Sequence, residues 1–346
     1  MLIRRRAALL ALAAGISASV MVTAAPAPAG ELVLPPTQSA AERIVDEYNA
    51  KNDANNASLD IEGQAAIEGA PIKTIDDVAY HEAFGRGETR LGEGADIRDI
   101  SDISVFVPDQ SSYPLTFLAF ERFASPDGSS VNEQFLVFAK TSSDSPWKVT
   151  HAASLLPDAI VPDVATDEHG LATLVKGKLA SKLQVNPTKL SPKLARLWQD
   201  SAEGVPIAKP FEPGLLTTDA GAVFLNELEQ LPINESRVDF KFRSTETQPL
   251  CFATDAAGAL CFFVINYRAT LDPVSGIYVQ DDSRVTLTGL VVPGEYGGAI
   301  FERTALVLAA VPKRSNLARV DVIGFYNGLV AAQGTPKGVN VPGDAV

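Results

Sequence analysis

His151 stands among apolar residues in a strand-like run, where burial can set the pKa of an imidazole that works as acid or base. It is in phase with Trp147, Val149 and Ala153, which points it toward the concave face of a curved sheet. The commoner role there is a hydrogen-bonded histidine at a strand end. Glu121 is the second catalytic candidate. It alternates with Phe117, Ala119 and Phe123, while Arg122 shares a face with Leu118 and Phe120. One of the two charges must therefore sit among aromatic rings. On a concave face it marks a polar point in a pocket; on a convex face it merely interrupts an exposed edge. His81 follows Asp77 by one helical turn, so Asp77 could orient the ring, although a solvated helix face is the plainer reading. His169, in Asp167-Glu168-His169-Gly170, reads as a turn residue. Tyr113, Tyr267 and Tyr278 could line pockets, but aromatics at strand spacing more often fill cores.

Cys251 and Cys261 flank Thr254-Asp255-Ala256-Ala257-Gly258, a hairpin turn with glycine where positive φ is needed. The loop length sets the two thiols face to face, and a disulfide is expected in an oxidising compartment. The alternative is a pair of buried thiols acting as small hydrophobes. Two thiols without a nearby histidine do not complete a zinc tetrad, so no metal site is expected. Asp96, Asp99 and Asp102 lack the glycine and terminal glutamate of a calcium loop. Gly85-Arg86-Gly87 is not flanked as a phosphate cradle, no G-x-S-x-G elbow occurs, and no cofactor is expected. Two sequons, Asn56-Ala57-Ser58 and Asn234-Glu235-Ser236, are of the kind that chance often supplies.

The elements that must position these residues come in a repeated order. Ser39 to Glu42 reads as a capping box opening a helix with Ile44, Val45 and Tyr48 on one face, fading into Lys51–Asn56. A short helix is expected near Gln64–Glu68, and a third from Thr74 with Ile75, Val78 and Phe84 at helical spacing. Gly85–Gly94 reads as a mobile loop. Strands follow at Ile100–Val107, Thr116–Phe123, Asn132–Lys140 and Trp147–Ala152. Leu156–Leu190, with Pro157, Pro162 and Pro187, reads as an ordered connector with one edge strand. Ser191 then caps a helix striped with Leu194, Leu197 and Trp198, and Thr218 caps another with Val223, Phe224, Leu228 and Leu231. Strands are expected at 237–243, 249–253, 260–270, 284–292, 300–311 and 319–325. Ala305–Ala309 echoes Phe135–Ala139, and Val320–Ile323 echoes Val149–Ala152. The fold class is therefore α+β: two tandem units, each of helices followed by a curved antiparallel sheet.

Composition, at 46% hydrophobic and 21% charged, argues against a disordered chain. A net charge of −13, with no basic patch among aromatics, excludes nucleic acid and anionic lipid as partners. Residues 1–30 read as a signal peptide: Arg4-Arg5-Arg6, an Ala-rich apolar run, then Val22-Thr23-Ala24 or Ala27-Pro28-Ala29 as cleavage sequence. The alternative is a membrane anchor, for which the run is short against the roughly 20 residues of a span. The protein is thus expected to be secreted or in the cell envelope, with no membrane contact after cleavage. Domains are expected at 31–156 and 191–332, joined by 157–190 and followed by a disordered tail at 333–346.

Helices then a curved meander, twice over, resembles the cone-shaped fold of nuclear transport factor 2, ketosteroid isomerase and the polyketide cyclases, a cystatin-like arrangement. The Asn-rich helix at Tyr48–Asn56 and the connector Asp167–Thr173 resemble an uncharacterised family of exported bacterial tandem proteins. The resemblance implies two cone-like domains and no activity. The expected function is a secreted, non-catalytic protein that binds an envelope or extracellular partner or an apolar small molecule. The alternative is a cyclase- or isomerase-like enzyme with His151 or Glu121 as base. A third possibility is a structural surface protein whose halves pack sheet against sheet across a dry contact.

Overall fold

A computed structural model describes residues 33–85, 87–91, 99–124, 131–205, 210–229, 236–273, 277–279 and 294–336. The expected signal segment 1–30, the expected strand at 284–292 and parts of the Gly85–Gly94 loop lie outside them.

Three helices open the described chain. In α1 (Gln38–Ser58) the N-cap is Thr37, whose hydroxyl accepts from the Ala40 amide, so the capping box at Ser39 is displaced by two residues. Nor does α1 fade at the asparagines: it runs to Leu59, a left-handed C-cap, because Asn49 and Asn55 bury their amides in a hydrogen-bonded cluster. Asp60 caps α2 (Ile61–Ile67) by accepting from Gly63. Helix α3 (Ile72–Gly85) buries Ile72, Ile75, Tyr80 and Ala83, leaving Phe84, expected on its apolar face, 71% exposed.

The meander follows as β1 (Asp99–Phe106), β2 (Leu115–Ala124), β3 (Val131–Lys140) and β4 (Lys148–Leu155), each antiparallel to the next. The connector carries a short α4 (Gly177–Ala180) and is stitched to strand edges at Pro108–Ala172, Val164–Thr254 and Leu174–Phe252. Helix α5 (Leu190–Ala202) buries Leu194, Leu197 and Trp198 as their spacing predicts. Ser191 is not its cap. The Ser191 hydroxyl donates across to the Val264 carbonyl at 2.7 Å, tying α5 to the sheet. Thr218 likewise turns back to Gly214 instead of capping α6 (Ala220–Glu229).

Strands β5 (Ser236–Ser244), β6 (Leu250–Ala253), β7 (Ala259–Pro273), β8 (Ile277–Val279), β9 (Gly294–Val311) and β10 (Asp321–Pro336) complete the sheet. β10 runs past the expected start of the tail at 333, since Gln333–Pro336 still pairs with β9. The ten described strands form one antiparallel sheet, ordered β1-β2-β3-β4-β10-β9-β7-β5, with β6 on β7 and β8 on β9. The two meanders join where Gly324 and Phe325 pair with Leu155 and Ser154. A side chain at Gly324 would sit tightly against Leu308, Ala153 and the Ser154 carbonyl, at 3.2–3.3 Å. The helix-then-meander order does occur twice. The halves nonetheless do not stand apart at 157–190: they share a sheet and two of their three apolar clusters.

That sheet is folded over. Strands about 4.8 Å apart would place β3 and β7, four steps apart in the order, about 19 Å from each other if flat. Yet the rings of Phe135 on β3 and Phe262 on β7 have centroids 6.5 Å apart. Between the facing halves lies a core of Leu118, Phe135, Val137, Phe252, Phe262 and Leu308. Outside it, α1–α3 cover Phe117, Leu136 and Phe138, and α5 and α6 cover Phe263, Ile265 and Val307. Further along the second half, Val264, Leu306 and Tyr326 meet the first set of helices.

Candidate functional site

Glu121 lies under α1, on the aromatic face of β2, and is fully buried. Asn49 of α1 donates to one carboxylate oxygen at 2.5 Å and Gln134 of β3 to the other at 2.9 Å. Both oxygens are engaged by amides, so the group pins helix to sheet. Arg122, on the opposite face, pairs with Glu133 at the surface.

His151 is not in phase with Trp147 and Val149. The register shifts between Val137–His151 and Phe138–Val149, and this bulge at Thr150 turns His151 to the other face. Val149 packs under the helices, whereas the His151 ring meets the Phe262 ring edge-on at 6.4 Å. Thr150 Oγ1 lies 3.0 Å from its Nδ1, and burial pulls the imidazole down to about 4. At neutral pH it is an uncharged wedge between the sheet halves. The structure thus places Glu121 and His151 on opposite faces, and they do not form one site.

His81 is exposed, with Nδ1 2.6 Å from the Asp77 backbone carbonyl; the Asp77 carboxylate is taken by Lys73. His169 is a turn residue whose amide donates to Asp167. Tyr267 is core, its hydroxyl bonded to Arg303 and Asn327. Cys251 and Cys261 are direct partners on β6 and β7 and form a disulfide.

The described structure assembles instead a set of groups that periodicity did not single out. Glu68 follows α2 and is 1% exposed, fixed by its backbone contact with Val149. One carboxyl oxygen accepts from Gln64 at 2.6 Å and from the Tyr48 hydroxyl at 3.3 Å. The other is buried without a donor and faces Asp76 of α3. Asp76 accepts from the Tyr326 hydroxyl of β10 at 2.5 Å. Gln64 extends the chain to Asn52 and Asn55, and Tyr80 donates to Asn56.

Burial, then the neighbouring Asp76 charge, pushes Glu68 up to about 9, and burial raises Asp76 as well. Burial and the same carboxylates hold the Tyr326 hydroxyl protonated far beyond its ordinary range. Two carboxyls this close in low dielectric cannot both ionise, so the pair retains a shared proton at neutral pH. That proton supplies the donor Glu68 otherwise lacks. Chemically the pair is a weak acid held from solvent on its Glu68 side. The sequence signal was the continuation of the Ala41, Val45, Tyr48 stripe through Asn52 and Asn55 at helical spacing.

Open concave surface lies elsewhere, along the connector. Two grooves of about 290 and 320 Å³ meet at Glu212 and Asp321. Segment 210–212 is moored beside β10 by the Glu212 amide on the Val320 carbonyl at 2.8 Å. The Arg319 amide donates to the Glu212 carboxylate at 3.2 Å. Burial and then the Glu212 charge raise Asp321. Among the described residues, no group of three or more His, Cys, Asp or Glu could hold a metal ion, and no helix is long and apolar enough to cross a membrane.

Residues 36–334 match the family described as Domain of unknown function (DUF8094), and the chain belongs to that family. No curated protein and no solved structure gives a significant match.

Proposed function

From how its polar groups are used, we propose that this is a secreted, non-catalytic binding or interaction protein of the cell envelope or extracellular medium. It is built on a doubled helix-and-meander unit of the cone type, as the order α1–α3 then β1–β4, and α5–α6 then β5–β10, suggests. One observation carries the reading. The expected acid–base residues are occupied as structural pins, Glu121 by Asn49 and Gln134 and His151 against Phe262, while open concave surface lies at the connector grooves. Export is supported by Arg4-Arg5-Arg6, the Ala-rich run after them and the Cys251–Cys261 bond, which is typical of oxidising compartments.

The test is expression of the full chain in a bacterial host, with fractionation, N-terminal sequencing and thiol labelling. Cleavage near residue 24 or 29, export and two unreactive cysteines support the reading. An intact N-terminus with free thiols in the cytoplasm opposes it.

Two observations favour other readings. The proton-sharing Glu68–Asp76 pair favours a cyclase- or isomerase-like enzyme. The dry core between the sheet halves favours a structural surface protein. Turnover abolished by Glu68→Gln would establish the first; the second predicts ordered self-assembly of the purified protein.

A further inference from the structure

We infer that the two connector grooves, with Glu212 and Asp321 between them, are the docking surface for a partner polypeptide carrying one lysine or arginine between apolar residues. This rests on the binding reading above and specifies its surface and partner class.

The charge pattern selects a cation. Glu212 and Asp321 line both grooves and form the ridge where they meet. Asp158 adds a third acid in one groove, and Arg319 is the basic group in the other. The acids outnumber it on a chain of net charge −13. An ammonium or guanidinium on the ridge relieves the repulsion between the two carboxylates, and long-range attraction speeds its approach.

The apolar pattern selects a polypeptide. Ile160, which lines the first groove, is 82% exposed, and Leu215, which lines the second, is 50% exposed. Leu317, between the groove residues Asn316 and Ala318, is 98% exposed. These three large aliphatic side chains stand in water on or beside the lining of the grooves, where a partner's apolar residues can cover them. One groove on each side of the ridge fits a segment that places an apolar residue before and after its basic one.

The experiment measures binding of the full-length protein to short synthetic peptides with leucine on both sides of a central lysine, glutamate or alanine. The lysine peptide is expected to bind, with at least about tenfold weaker binding of the other two and weakening by salt. Asp321→Asn and Ile160→Ser, checked for unchanged circular dichroism, are expected to lose that binding. Equal binding of all three peptides, or undiminished binding by Asp321→Asn, overturns the proposal. So does equally tight binding of a free alkylamine, which would make the grooves a small-molecule site. A photo-crosslinker at Ile160 and one at Phe84 are then compared in the native envelope. A specific adduct at Phe84 with no lysine-peptide binding overturns this surface and leaves the general binding reading standing. No adduct at either position and no peptide binding overturns both.

Discussion

The Tyr326 hydroxyl donates to the Asp76 carboxylate at 2.5 Å, joining β10 to α3 across 250 residues of chain. Helix α3 also packs with Ile75 directly against Gly328 of the same strand. The first set of helices is thereby fastened to the second half of the sheet as well as to its own meander. Tyr326→Phe removes the donor from a buried carboxyl and is expected to cost about 1–3 kcal/mol, read by denaturant unfolding. Hydrogen exchange should quicken in α3 before it does in α5.

The Glu68–Asp76 pair makes stability depend on pH in a definite direction. Glu68 is raised from 4.5 to about 9, so the folded chain binds more protons than the unfolded one between those values. Stability from this source is complete below 4.5, falls as pH rises through the window and is gone above about 9. Glu68→Gln keeps a donor toward Asp76 without a titrating group. Its unfolding midpoint should therefore lose most of the alkaline slope and exceed that of the parent chain at high pH.

His151 acts at the other end of the scale. Its pKa is lowered from 6.5 to about 4, so the unfolded chain binds the extra proton between them. Stability is full above 6.5 and is lost as pH falls toward 4. In an NMR titration the His151 ring should stay neutral from about pH 7 down to about 4. His151→Leu should remove the acid-side loss.

At Gly328 a Cβ would fall 2.2 Å from Ile75 Cγ2. Gly328→Ala is expected to destabilise by about 1–3 kcal/mol through overpacking. Ile75→Ala costs stability alone through the cavity it leaves, but the double variant should be more stable than the sum of the two implies.

The disulfide closes a hairpin with a sequence separation of 10. Replacing both cysteines is expected to cost about 3 kcal/mol through the lost constraint on the unfolded chain. Thermal unfolding of the Cys251→Ala, Cys261→Ala variant measures it.

Much of this architecture can be read from local pattern, because strand alternation and hairpin turns are short-range. The β2–β4 meander, the Cys251–Cys261 pairing and the α5 stripe follow directly from spacing. What escapes is non-local. Asparagine is a poor helix former, so α1 looks finished at Lys51; only Gln64 and Tyr80, distant in sequence, show why Asn55 and Asn56 belong to it. A one-residue bulge at Thr150 reverses the face of His151, and nothing local announces it. The edge-to-edge join at Gly324 depends on both halves being folded.

The central claim is that the halves form one body, held by a shared sheet and by buried groups used for contact. The two tryptophans divide conveniently: Trp147 packs with the first helices and Trp198 within the second. Denaturant unfolding of Trp147→Phe and Trp198→Phe, each followed by its remaining tryptophan, compares the halves directly. Coincident transitions, at midpoints also reported by circular dichroism on the same samples, are predicted. A half that unfolds first while the other tryptophan keeps its native signal would contradict the account.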